Sequence, residues 1–137
     1  MSVTISTKYL GDYTTEATYL EASAKIVTSA KSIYDGGEPT HFSPTDLFVS
    51  SLTSCILTIM GITAKTRGFD IDGAEATTIK HMGKDPRRVS QIDIEIRLPR
   101  QYTDTQKKFL EAAARACPVG RSIHPDIIEN IKFVYPE

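Results

Sequence analysis

The stretch from Ser43 to Gly68 constrains this chain more than any other. Ser43 suits a helix N-cap and Pro44 the first helical position. Asp46 falls where a capping-box acid reaches back to the cap. Leu47, Phe48, Leu52, Ile56, Ile59, Met60 and Ile62 follow, and Arg67-Gly68 offers a basic last turn and a glycine stop. The spacing predicts a helix of about twenty-three residues, longer than the usual globular one. Its apolar content predicts a central, largely buried helix that needs cover on more than one side. Ser50, Ser51, Thr53, Ser54, Thr58 and Thr63 interrupt the run from Leu47 to Ala64, which reads as too polar and too short to span a bilayer.

Around this helix the chain reads as strands. Val3 to Tyr9, Thr15 to Ala22 and Lys25 to Ser32 are β-leaning runs, parted by Gly11-Asp12 and closed by Asp35-Gly36-Gly37. After the helix, Ile71 to His81 is a weaker strand. Ser90 to Leu98 alternates cleanly, with Ile92, Ile94, Ile96 and Leu98 on one face and Asp93, Glu95 and Arg97 on the other. Thr103 or Asp104 caps a helix to about Ala116, and Cys117-Pro118 opens a short helical turn to about Ile123. His124-Pro125 ends that turn, and Ile131 to Tyr135 is a last strand. Strands and helices do not alternate regularly, so the class is α+β, with a mixed or antiparallel sheet on the long helix.

The 137 residues fit a single domain spanning 1–137 and can bury a core without staples. Basic and acidic residues nearly cancel to a net charge of -1, so no electrostatic footprint for nucleic acid is present. The N-terminus lacks a basic region followed by an apolar one, which makes a cytoplasmic protein the expectation.

Two cysteines are the candidates for chemistry. Cys55 lies within about 60° of Phe48, Leu52, Ile59 and Ile62 around the long helix, in its apolar stripe. It reads either as a small core residue or, with Ser51 and Thr58 beside it, as a thiol reaching a cleft. Cys117 stands at the start of the short helix, where the positive helix end favours thiolate, and Arg115 and Arg121 are close in sequence. A structural role for Cys117 is equally open. No Cys-x-x-Cys and no His pair at helical spacing occurs, so no metal site is expected. His41 and His124 read as loop residues and His81 as a strand end. The chain holds no Gly-rich phosphate loop and no Gly-x-Ser-x-Gly elbow.

The run Ser43-Pro44-Thr45-Asp46-Leu47-Phe48-Val49-Ser50-Ser51-Leu52-Thr53-Ser54-Cys55 resembles the central helix of the OsmC/Ohr family, the osmotically inducible and organic hydroperoxide resistance proteins. The run Ala116-Cys117-Pro118-Val119-Gly120-Arg121-Ser122-Ile123-His124-Pro125 resembles the family's second cysteine motif. Element order and length agree along nearly the whole chain. The resemblance implies an intertwined homodimer, the two long helices at its centre and each sheet wrapping the partner. It implies reduction of organic hydroperoxides, with Cys55 as the peroxidatic thiolate, Cys117 as the resolving thiol, no cofactor and an external dithiol as reductant.

Two positions depart from the hydroperoxide reductases. They carry Glu directly after the helix-opening Pro, where this chain has Thr45 and then Asp46. Asp46 lies about 180° from Cys55 around the helix and reads as a cap. The family's activating Arg lies in the N-terminal strands, whereas no Arg here precedes Arg67. Lysine there cannot present a bidentate fork. An OsmC-like branch is therefore implied, and a second expectation stands beside the peroxidase. It is a redox-inactive dimer binding a small apolar or electrophilic ligand in its interface cleft. A dimer with inert cysteines is a third.

Overall fold

The computed structural model describes residues 1–137, which form two compact units, Met1–Phe48 and Val49–Glu137. The first unit holds strands β1 (Ile5–Gly11), β2 (Thr14–Tyr19) and β3 (Ala24–Ser29), a short helix α1 (Lys31–Tyr34) and the start of α2 (Pro44–Thr66). Its sheet is antiparallel, in the order β1-β2-β3. Gly11, Asp12 and Tyr13 all have positive φ and turn the first hairpin tightly, so β1 runs on to Gly11 instead of ending at Tyr9. The expected strand to Ser32 stops at Ser29. There the Ser29 hydroxyl accepts the Lys31 N–H at 3.3 Å and diverts the chain into α1.

The second unit holds the rest of α2, then β4 (Glu75–Gly83), β5 (Arg88–Arg97), α3 (Asp104–Ala114), α4 (Pro118–Ser122) and β6 (Ile128–Val134). β4 and β5 pair antiparallel, and β6 lies parallel to β5. Two three-stranded sheets thus replace the single sheet of the sequence expectation. β4 begins four residues later than expected, because Asp70 to Gly73 forms a turn. The Asp72 N–H donates to Asp70 Oδ1 at 2.9 Å, and Gly73 has φ +94.

α2 begins as its sequence dictates. Ser43 Oγ accepts the Asp46 N–H at 3.2 Å, and Asp46 Oδ2 accepts the Ser43 N–H at 2.9 Å. By length and composition α2 could cross a bilayer, contrary to the reading that it is too polar and too short. It buries Val49, Leu52, Thr53, Ile56, Met60 and Ala64, however, a stripe at steps of three and four residues as in a core helix. Its hydroxyls fit because they bond back to the helix: Thr58 to the Ser54 carbonyl at 2.7 Å, Thr66 to that of Ile62 at 2.9 Å.

In β5, Ile92, Ile94 and Ile96 are buried, as the alternation requires. Thr78 pairs with Ile94 and so shares that face, and Thr53 on α2 meets Thr78 oxygen to oxygen at 2.6 Å. α2 therefore covers the isoleucine face of the β4-β5-β6 sheet. Leu110 of α3 is fully buried as well, and Arg67 at the end of α2 stacks 3.3 Å over the Phe109 ring of α3. α3 opens with a full capping box between Thr103 and Gln106.

Candidate thiol site

The two cysteines, far apart in sequence, meet in the second unit. Cys55 lies midway along α2 and is half-buried, at the margin of the buried stripe and not within it. The apolar stripe on which the sequence sets Cys55 is in fact split. Leu52 is fully buried, Phe48 and Ile59 are half-buried, and Ile62 is 56% exposed. Cys117 is the N-cap of α4, with Pro118 opening the helix, and is 2% exposed. Both thiols are free, and the Cys55 side chain lies near enough to Cys117 to act on it.

Cys117 Sγ accepts the Gly120 N–H at 3.3 Å, so the sulfur serves as the capping atom of its own short helix. This bond favours the thiolate, as the helix-end argument expects. Burial outweighs it and pushes the Cys117 thiol above its ordinary pKa, with the Cys55 contact and the charge of Glu129 acting in the same direction. The expected thiolate bias at Cys117 is thus overturned by desolvation. Arg115 does not relieve it. That side chain donates to the Glu111 carbonyl at 3.3 Å and lies 5.5 Å from the centre of the Phe133 ring.

Gly120 is packed against the sulfur. A Cβ there would stand 3.2 Å from Cys117 Sγ, 3.5 Å from Glu129 Oε1 and 3.6 Å from Leu52 Cδ1. Those three atoms line one methyl-sized space, and only glycine keeps it open. Glu129 is the residue that sequence reasoning missed. The register sets Glu129, Ile131 and Phe133 opposite Ile92, Ile94 and Ile96, so this acid sits in the apolar phase of β6. The signal was present, but a strand read from Ile131 onward leaves Glu129 outside it. Glu129 is exposed as a residue, yet desolvation of its carboxyl raises it above its usual range.

A cavity of about 540 Å³ opens on the same sheet, lined by Thr77, Ile79, Asp93, Glu95, Glu129 and Lys132 among others. Neither cysteine lines it. Asp93 beside it accepts from Asn130 at 2.9 Å and from Gln91 at 2.8 Å, and meets His81 Nε2 at 2.7 Å. His81 is thereby one partner of a surface carboxylate, within β4. His124 Nδ1 accepts the Asp126 N–H at 3.0 Å in a turn, and His41 bonds Thr40.

No curated protein matches the chain. Among solved structures, a candidate osmotic stress induced and detoxification response protein from Psychrobacter arcticus 273-4 is 41% identical. That match covers 97% of this chain and 96% of the other, with a TM-score of 0.89. An OsmC-like protein of unknown function from Vibrio cholerae is 13% identical, covers 96% and 99%, and gives a TM-score of 0.76. The organic hydroperoxide resistance protein OhrB of Bacillus subtilis is 14% identical, covers 97% and 98%, and gives 0.70; the latter two show the fold alone. The family model of the OsmC-like proteins matches residues 36–131, from the turn before α2 to β6 and so across both cysteines. With that match over most of its length, the chain belongs to the OsmC-like protein family.

Proposed function

We propose that this protein reduces organic hydroperoxides with the Cys55/Cys117 pair. The observation that carries this reading is the proximity of two free thiols brought together from separate helices. The Cys55 thiolate attacks one peroxide oxygen, the O–O bond breaks, and the alkoxide leaves to become an alcohol. Cys55 is then a sulfenic acid. The Cys117 thiol condenses with it to give a disulfide and water, before a second peroxide can carry Cys55 further up the oxidation ladder. An external dithiol restores the pair by exchange, and no cofactor takes part. Burial of Cys117 suits it to the second role, since the buried thiol attacks only the sulfenic acid formed beside it. The hydroperoxide resistance protein among its structural neighbours supports the reading.

The working form is a homodimer of single-domain subunits, in a cytoplasmic setting where thiols stay reduced. The antiparallel sheet of the first unit leaves Ile5, Tyr9, Leu10 and Ile26 each at least half exposed, and Ile62 on α2 is equally bare. So much apolar surface on one chain calls for a partner. The absence of any Arg before Arg67 favours a second reading, a redox-inactive dimer that binds a small apolar or electrophilic ligand.

The deciding experiment adds one equivalent of cumene hydroperoxide to the reduced protein and follows intact mass and free thiols. Peroxidase chemistry gives rapid loss of two thiols and two hydrogens, no reaction in Cys55→Ser, and over-oxidation of Cys55 in Cys117→Ser. Full activity in Cys55→Ser sinks the reading. An unreactive protein that carries a co-purified ligand in native mass spectrometry establishes the second one.

A further inference from the structure

The second chemical step leaves a proton to account for. Cys117 must lose its proton as it attacks, yet burial holds it as a thiol. A buried thiol resolves a sulfenic acid quickly only if a base stands beside it. The groups near the Cys117 sulfur, or near its neighbour Glu129, come from four elements. Cys55 on α2 is the reaction partner. The Gly120 N–H of α4 is a donor and cannot accept. Arg115, after α3, borders a small cavity with Glu129 and Ile131 and is a cation. Glu129 on β6 is the one carboxylate among them, and its Oε1 lines the same methyl-sized space at Gly120 as Cys117 Sγ.

Resting on the peroxidase reading, we propose that Glu129 accepts the proton of Cys117 as that thiol attacks the Cys55 sulfenic acid. The Cys117 S–H bond breaks, with its proton passing to the carboxylate. The S–S bond forms and the Cys55 S–O bond breaks. The leaving hydroxide takes the proton back from Glu129 and departs as water. Cys117 is oxidised, the Cys55 sulfur is reduced, and Glu129 ends the cycle as it began. Its place beside the Cys117 sulfur carries the role, and a carboxyl raised above its usual range by desolvation is a stronger base. The chain has Thr45 and then Asp46 where the hydroperoxide reductases carry a glutamate on the long helix, and Glu129 approaches Cys117 from β6.

The alternative is that Glu129 is only a negative charge that hinders ionisation of Cys117. The two roles predict opposite signs for Glu129→Gln. A lost proton acceptor slows disulfide formation; a lost electrostatic brake speeds it. The full chain is mixed with one equivalent of cumene hydroperoxide. Peroxide consumption reports the first step, and the quenched disulfide fraction reports the second. The proposal expects Glu129→Gln to leave the first step within about twofold and to slow the second about tenfold or more. Glu129→Asp should fall between. In the wild type the second step should slow as pH drops through the carboxyl range, and the Gln variant should lose that limb. A second step unchanged or faster in Glu129→Gln overturns the proposal while the peroxidase reading stands. A wild type that consumes no peroxide overturns the peroxidase reading first, and the proposal with it.

Discussion

The Gly120 N–H donates to Cys117 Sγ at 3.3 Å, so the atom read as the resolving nucleophile is also the cap of α4. Structure and chemistry are tied at one sulfur. A shift of Gly120 therefore acts on the thiol.

Gly120→Ala tests that link. Alanine favours a helix by up to about 1 kcal/mol, but α4 has only five residues and gains less. The new Cβ would press on Cys117 Sγ at 3.2 Å, and that sulfur is held by burial, by the Gly120 N–H and by Cys55. Overpacking should win, lowering stability by about 1–2 kcal/mol in urea denaturation and slowing the Cys55–Cys117 disulfide. A stabilised variant would show that the sulfur yields freely.

Thr53 and Thr78 join α2 to its sheet at 2.6 Å, two residues before Cys55. Thr53→Val should cost about 1–2 kcal/mol, since it strands the Thr78 hydroxyl in a partly buried place. Adding Thr78→Val should recover part of that loss. A double-mutant cycle in chemical denaturation measures the coupling, and purely additive costs would assign the hydroxyl pair no role.

Asp93 carries a prediction about acid. Its carboxyl is lowered to about 2, first by the Asn130 amide, then by Gln91 and His81. A depressed carboxyl stabilises the fold above its unfolded pKa, and that share is lost as pH falls through the folded one. The window is therefore between the ordinary 3.8 and about 2. Wild-type stability should fall there more steeply than that of Asp93→Asn, as read by thermal unfolding across pH. Parallel curves for the two proteins would contradict it.

Ile62 reports on assembly. It stands 56% exposed on a helix whose opposite stripe is buried. Light scattering should find a dimer at micromolar concentration, and Ile62→Glu should weaken it about tenfold or more while leaving subunit helicity intact. A wild-type monomer would remove the homodimer, and an unaffected dimer would move the interface elsewhere.

Local chemistry made several features legible without coordinates. The Ser43/Asp46 box, Pro44 and Gly68 bracket α2 almost to the residue, because caps are satisfied within one turn of chain. The alternation of Ile92, Ile94 and Ile96 gives the core face of β5 for the same reason. Strand ends were less legible. Ser29 and Asp70 set them by bonding the backbone two residues on, a contest between turn and strand that composition does not settle. The same holds for β6, whose true start sets Glu129 in register with Ile92.

The long capped helix, the α+β order and the two cysteine motifs that mark the family are legible in the chain alone. These depend on neighbours within a few positions. Three features emerge only once the chain is folded: β6 runs parallel to β5, Cys55 and Cys117 come together, and Glu129 shares the space at Gly120 with the sulfur. It also reversed the electrostatic expectation at Cys117. A helix N–H acts locally and can be read from the chain, but the burial that outweighs it comes from elements distant in sequence.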